Sequence, residues 1–154
     1  YKGITLASAT AVALANLGVD VPFAFNRKEA KDHGEGGVIV GSPLAGRVVI
    51  VDDVITDGAA KRESVELIRA HGATPVAVLI ALDRVERAAA MAGSGESLSS
   101  QSSVQAFEQE FGIPVISIAN FSDLMQFLDS DSPHARYARA FRSAMEQYRA
   151  KYAA

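Results

Sequence analysis

The sequence predicts an α/β domain with a mainly parallel sheet flanked by helices. Two observations carry this. Residues 48–51 form a continuous β-branched run, and 76–82 and 115–118 are similarly apolar, the pattern of strands buried on both faces. Helix-like stretches alternate with these runs, and strands that alternate with helices pair in parallel through crossovers. The composition permits this. At 154 residues, 49 % hydrophobic and 21 % charged, the chain builds one core and is too short for two ordinary domains.

Taken in order, residues 5–16 are rich in Ala and Leu and read as a helix stopped by Gly18. Residues 21–25 read as a short strand, and 27–37, polar with three glycines, as a mobile loop. A short apolar segment follows at 38–40, then the strand at 48–51. Residues 60–71 form a helix with Leu67 and Ile68 inward and Gly72 as its stop. The strand at 76–82 leads to a surface loop over 87–103, with a helical tendency around 88–91. Ser102 or Ser103 caps a helix that runs through Phe111 to Gly112. After the strand at 115–118, residues 122–128 and 133–149 are closing helices, the second with Pro133 in its first turn.

Composition excludes several functions. A net charge of −3, from 15 Lys and Arg against 18 Asp and Glu, argues against a general nucleic-acid or anionic-membrane binder. No apolar run reaches the roughly 18 residues that span a bilayer. No basic-then-apolar leader opens the chain as given. With no cysteine, the chain has no disulfide, Cys-zinc site or thiol nucleophile, a usage that suits the cytoplasm. His33, His71 and His134 are scattered and form no metal site. His71 reads as a helix-end residue and His134 as a surface one.

The informative stretch follows the 48–51 run. Asp52 and Asp53 stand directly after the strand. Val54, Ile55, Thr56, Asp57, Gly58, Ala59 and Ala60 then lead into a helix. Open α/β sheets bind ligands at the carboxyl ends of their strands. Backbone N–H groups at the mouth of a helix attract anions. Gly58 permits close backbone approach, and Thr56 adds a hydroxyl. The carboxylates suit sugar hydroxyls or Mg²⁺. Phosphate plus ribose in one ligand is therefore the economical reading. Solvated acids in an ordinary turn would explain an Asp pair alone, but not acids, hydroxyl, glycine and helix start in succession. The phosphate loop of nucleoside-triphosphatases and the dinucleotide fingerprint are both absent.

This stretch resembles the phosphoribosyl-pyrophosphate (PRPP) motif of type I phosphoribosyltransferases. In that family the two acids hold the ribose hydroxyls and the loop N–H groups grip the 5′-phosphate. A second segment sharpens the resemblance. Arg27, Lys28, Lys31 and His33 lie within seven residues, interleaved with Glu29 and Asp32. By composition alone this is a solvated charged loop. Its flanking glycines favour a flap over a small ligand, and its cations suit a leaving pyrophosphate. The loop resembles the catalytic loop of orotate phosphoribosyltransferase nearly residue for residue. The segment Tyr1-Lys2-Gly3-Ile4 resembles that family's pyrophosphate side. Ala81-Leu82-Asp83-Arg84-Val85-Glu86-Arg87 resembles its later strand end. The matches span most of residues 1–87.

The resemblance implies a type I phosphoribosyltransferase fold with a mobile catalytic loop, in a single core domain over 1–154. It implies transfer of ribose 5-phosphate from PRPP to orotate, giving orotidine 5′-phosphate and pyrophosphate in UMP biosynthesis. Tyr1 and Lys2 are then near the PRPP phosphates. Arg27, Lys28, Lys31 and His33 engage the pyrophosphate and form the catalytic set. Residues Asp52, Asp53, Val54, Ile55, Thr56, Asp57, Gly58, Ala59 and Ala60 hold the ribose 5-phosphate, and Thr56 and Arg84 contact orotate. An Arg against a carboxylate rejects bases that lack one. By itself Arg84 would be a surface ion pair with Glu86 or Asp83. Mg²⁺ is the implied cofactor, held mainly through PRPP near Asp52 and Asp53. A cytoplasmic homodimer sharing the loop across subunits is also implied, with no nucleic-acid or membrane partner.

Asp57 stands where the family has a small neutral residue, Ala59 at or beside a hydroxyl position, and Ala88 where Gly is favoured. A carboxylate near the 5′-phosphate is expected to weaken PRPP binding. The family also carries further residues ahead of the Tyr-Lys-Gly segment, so an N-terminal hood segment is expected to be absent from this chain. Two other readings follow: a non-catalytic PRPP-binding regulatory domain, favoured by Asp57 and Ala59, or a phosphoribosyltransferase for another base, disfavoured by Arg84.

Overall fold

The computed structural model describes residues 2–31, 37–88 and 100–154. Helix α1 (Lys2–Asn16) starts three residues ahead of the expected 5–16, and Gly18 follows it in the left-handed region. Strands β1 (Ala24–Lys31) and β2 (Gly37–Gly41) form an antiparallel ribbon, with Phe25 opposite Val40 and Lys31 opposite Gly37. Two expectations change here. The strand read at 21–25 begins only at Ala24, since Pro22 has no N–H for a ladder. Arg27, Lys28 and Lys31, assigned to a loop, have strand backbone, because pairing with the apolar 38–40 segment outweighs their weak strand preference. His33 lies outside the described residues.

Strand β3 (Arg47–Asp52), helix α2 (Ala59–Ala70), strand β4 (Thr74–Asp83), helix α3 (Ser103–Phe111) and strand β5 (Val115–Asn120) follow as two successive β-α-β units. The sheet order is β3-β4-β5, parallel throughout. Ser102 caps α3 through a reciprocal box with Gln105, and Gly112 ends the helix in the left-handed region. Helix α4 (Phe121–Asp129) follows, capped by Asn120. The closing helix expected over 133–149 is broken into α5 (Pro133–Ala138), a 3₁₀ turn (Arg139–Phe141) and α6 (Arg142–Tyr152).

Val65 from α2, Phe107 from α3, Ile55 and Ile113 pack with Val78 and Ile80 of β4 to make the core. Right-handed crossovers between strands laid down in one direction put both helices on one face. The row Ile50, Val78 and Val115 faces them. Ile116 and Ile118 of β5 are instead 54 % and 89 % exposed, and Val49 is 44 % exposed. The expectation of strands buried on both faces is thereby corrected, because α2 and α3 cover the same side. Among the described residues no helix is long and apolar enough to cross a membrane.

Candidate active site

Asp52 ends β3 and Asp53 follows it, and the two acids meet lysines from different helices. Asp52 Oδ1 accepts the Asp53 N–H at 2.8 Å, while its Oδ2 pairs with the Lys61 ammonium in the first turn of α2. Asp53 Oδ1 accepts the Val54 N–H at 2.9 Å, and its Oδ2 lies 3.0 Å from Lys2 Nζ on α1. Burial pushes the Asp53 carboxyl up. Hydrogen bonds from Lys2 and Val54, with the Lys2 charge, outweigh this and hold it below the ordinary carboxylate value. Gly3 lets α1 come this close, since a Cβ there would stand 2.9 Å from both Asp52 Oδ1 and the Val51 carbonyl.

The loop between Asp53 and α2 is anchored by Ile55, which is buried in the core. Thr56 and Asp57 are exposed, and Gly58 takes φ 75°, a turn that favours glycine. Asp57 Oδ1 accepts the Ala59 N–H at 3.0 Å. Arg62 Nη1 donates to the Asp57 carbonyl at 2.7 Å, and its Nε donates to Glu110 on α3 at 2.8 Å. The loop is thus braced from two helices.

Arg84 follows β4 and arrives from the next strand end. Its Nη2 donates to Thr56 Oγ1 at 2.9 Å and lies 2.8 Å from Glu86 Oε2. Val85 beside it has φ 53°, a left-handed conformation that costs a β-branched residue on the order of 1–3 kcal/mol. The surroundings hold it there. Asp83 Oδ1 accepts the Val85 N–H at 2.8 Å, and the Ala154 N–H donates to the Val85 carbonyl at 2.9 Å. Further contacts tie this strip to both flanks. Arg87 N–H donates to Tyr152 O at 2.8 Å, and Ser103 N–H donates to Glu86 O at 2.8 Å.

The fold therefore brings together Lys2, Asp52, Asp53, the loop through Ala60 and, at Thr56, Arg84. Arg27 is half-buried on β1. Lys28 and Lys31 are described by their backbone alone, and Tyr1 and His33 lie outside the described residues. Lys61 and Arg62 adjoin this site and were missed in the sequence, whereas Glu86 is the ion-pair partner that the sequence offered for Arg84. A signal for Lys61 existed: it shares the apolar face of α2 with Val65 and Ile68, four and seven residues on. A cleft of about 400 Å³ between α1, β1, β3 and α2 reaches Asp52 and Lys61 but not Thr56 or Arg84. Among the described residues no group of three acids or histidines is placed to hold a metal.

A strand-end acid pair, a glycine loop opening a helix and an arginine from the neighbouring strand occur together in this order. The family model described as phosphoribosyl transferase domain matches residues 1–114. The chain belongs to the phosphoribosyltransferase family. The orotate phosphoribosyltransferase of Herminiimonas arsenicoxydans is 61 % identical over 155 residues, covering 99 % of this chain and 66 % of that protein. The enzyme of the same name from Bordetella pertussis is 58 % identical, again over 99 % of this chain and 66 % of its own length. The crystal structure of orotate phosphoribosyltransferase from Francisella tularensis matches all of this chain and 67 % of its own, at 30 % identity and a TM-score of 0.73. The chain thus spans about two thirds of the length of the curated relatives it matches. Its α/β architecture is the type I phosphoribosyltransferase fold expected for this family.

Proposed function

We propose that this chain carries the site at which ribose 5-phosphate passes from PRPP to a ring nitrogen of orotate, giving orotidine 5′-phosphate and pyrophosphate for UMP synthesis. The observation that carries the reading is the 2.9 Å hydrogen bond from Arg84 to Thr56. Residues 28 positions apart meet there, at the rim of the phosphate loop, and present a guanidinium next to a hydroxyl. A planar guanidinium beside the phosphoribosyl site suits a base that bears a carboxylate. Glu86 holds the guanidinium until such a ligand replaces or shares it.

The remaining roles follow by position. Asp52 and Asp53 serve the ribose hydroxyls, and the loop from Val54 to Ala60 serves the 5′-phosphate at the start of α2. Tyr1 and Lys2 serve the PRPP phosphates. Arg27, Lys28, Lys31 and His33 stabilise the departing pyrophosphate, where charge develops as the bond to ribose breaks. No protein nucleophile is required. Each acid is already matched by a lysine, so Mg²⁺ would be held mainly through the pyrophosphate, with Asp52 and Asp53 as the carboxylates beside it. When bound, it balances the pyrophosphate charge. A cytoplasmic homodimer with the 27–37 segment shared across subunits completes the reading.

The test is a turnover assay with Mg²⁺ and PRPP, comparing orotate with adenine and hypoxanthine. Consumption of orotate alone is the expected result. Consumption of a purine instead assigns the chain to another base. The hydrogen bond from Ala59 to Asp57 favours a second reading, a PRPP-binding regulatory domain, because an internal anion already occupies that amide. PRPP binding with no base consumed would establish that second reading.

A further inference from the structure

We propose that Lys61 is a positioning residue of the phosphoribosyl site: it holds Asp52 in one orientation from beneath, while Asp53 keeps an exchangeable partner. The proposal rests on the PRPP reading above. Lys61 is 7 % exposed and lies on the core-facing side of α2 with Val65 and Ile68. A buried ammonium is strongly unfavourable unless it is paired and hydrogen-bonded. Its partner is Asp52 Oδ2, and the other oxygen of that carboxylate takes the Asp53 N–H at 2.8 Å. Both oxygens of Asp52 are therefore engaged inside the protein before any ligand arrives. A group fixed in this way is preorganised and need not be ordered on binding.

Asp53 is held differently. Its lysine partner, Lys2, has a side chain 82 % exposed, against 9 % for that of Lys61. An exposed ion pair is weakly held, so a competing hydroxyl or cation displaces it at small cost. The two adjacent acids thus divide their labour. Asp52 is the rigid floor of the site, and Asp53 is the acid that turns to the ligand. The split arises where β3 ends: Asp52 is the last strand residue and meets Lys61 of α2, while Asp53, in the bend that follows, meets Lys2 of α1.

The test compares thermal unfolding and calorimetric titration with Mg–PRPP for the unmodified chain, Lys61→Met, Lys2→Met and the double variant Lys61→Met/Asp52→Asn. Lys61→Met is expected to unfold roughly 6 °C or more below the unmodified chain. It is expected to bind Mg–PRPP about tenfold more weakly. Adding Asp52→Asn recovers most of the lost Tm, because no half-buried carboxylate is then left unpaired beside the core, but does not recover affinity. Lys2→Met, the same charge change at the exposed partner, shifts Tm by less than about 2 °C. If Lys61→Met does not fold, a folded double variant carries the same support. An unmodified Tm and affinity in Lys61→Met overturn the proposal. So does a double variant no more stable than Lys61→Met, or one that regains affinity. If the unmodified chain does not bind Mg–PRPP, the proposed function falls, and the thermal cycle alone decides whether Lys61 acts through Asp52.

Discussion

Asp57 places a carboxylate inside the loop proposed to take the 5′-phosphate, and it already accepts the Ala59 N–H. A phosphate arriving there must displace that contact and tolerate a like charge, worth about 1 kcal/mol at 4 Å even in bulk water. Asp57→Ala is therefore expected to bind Mg–PRPP about fivefold more tightly by calorimetric titration, and equal affinities would refute this. Arg84 works in the opposite sense. Arg84→Met is expected to lower kcat/KM for orotate by about a hundredfold or more and to leave the affinity for PRPP within about twofold, by steady-state kinetics and titration. A parallel loss of PRPP affinity would instead make Arg84 a support of the loop. Asp52, Asp53 and Thr56 were legible as a motif because they are consecutive or nearly so. Lys61 was not, because a lysine in the first turn of a helix ordinarily snorkels to water. Only its apolar helix-mates Val65 and Ile68 hinted otherwise.

At the level of elements, caps and breaks differ in how far they can be read. The cap of α3 was visible as Ser102 or Ser103 ahead of the helix, and the structure assigns it to Ser102, with Gln105 completing a reciprocal box. Ser102→Ala is expected to cost about 1 kcal/mol and to lower Tm by about 2–4 °C in a thermal melt. The break in the closing helix had no such sign, since residues 134–149 contain neither Gly nor Pro. Arg139 accounts for it. Its Nε donates to the Leu128 carbonyl at 2.8 Å and its Nη2 to the Ser130 carbonyl at 2.5 Å, satisfying the end of α4. The backbone tightens into a 3₁₀ turn from Arg139, where α5 and α6 meet. The ribbon of β1 and β2 was likewise hidden, because its charged residues read as loop until a partner strand is known.

Across the whole molecule, acid stability gathers the same contacts. The Asp53 carboxyl lies below its ordinary value despite burial, held by Lys2 and the Val54 N–H, and that of Glu110 is lowered by its hydrogen bond from Arg62. A carboxyl lowered on folding stabilises the protein above its unfolded pKa of about 4, and that stability is lost as pH falls through the folded value. Tm is therefore expected to fall as the pH drops below about 4, and Lys2→Met to make the fall shallower; an unchanged slope in that variant would refute the Asp53 contribution. By itself the sequence determined the alternation of strands and helices, the parallel sense of the sheet and the acid-loop-helix motif, because each is written in the local order of residue types. Only the tertiary structure decided which lysine meets which acid, that Arg84 reaches Thr56, and that one face of β5 stays open. Those outcomes depend on helix placement and on contacts between residues far apart in the chain, which local periodicity does not encode.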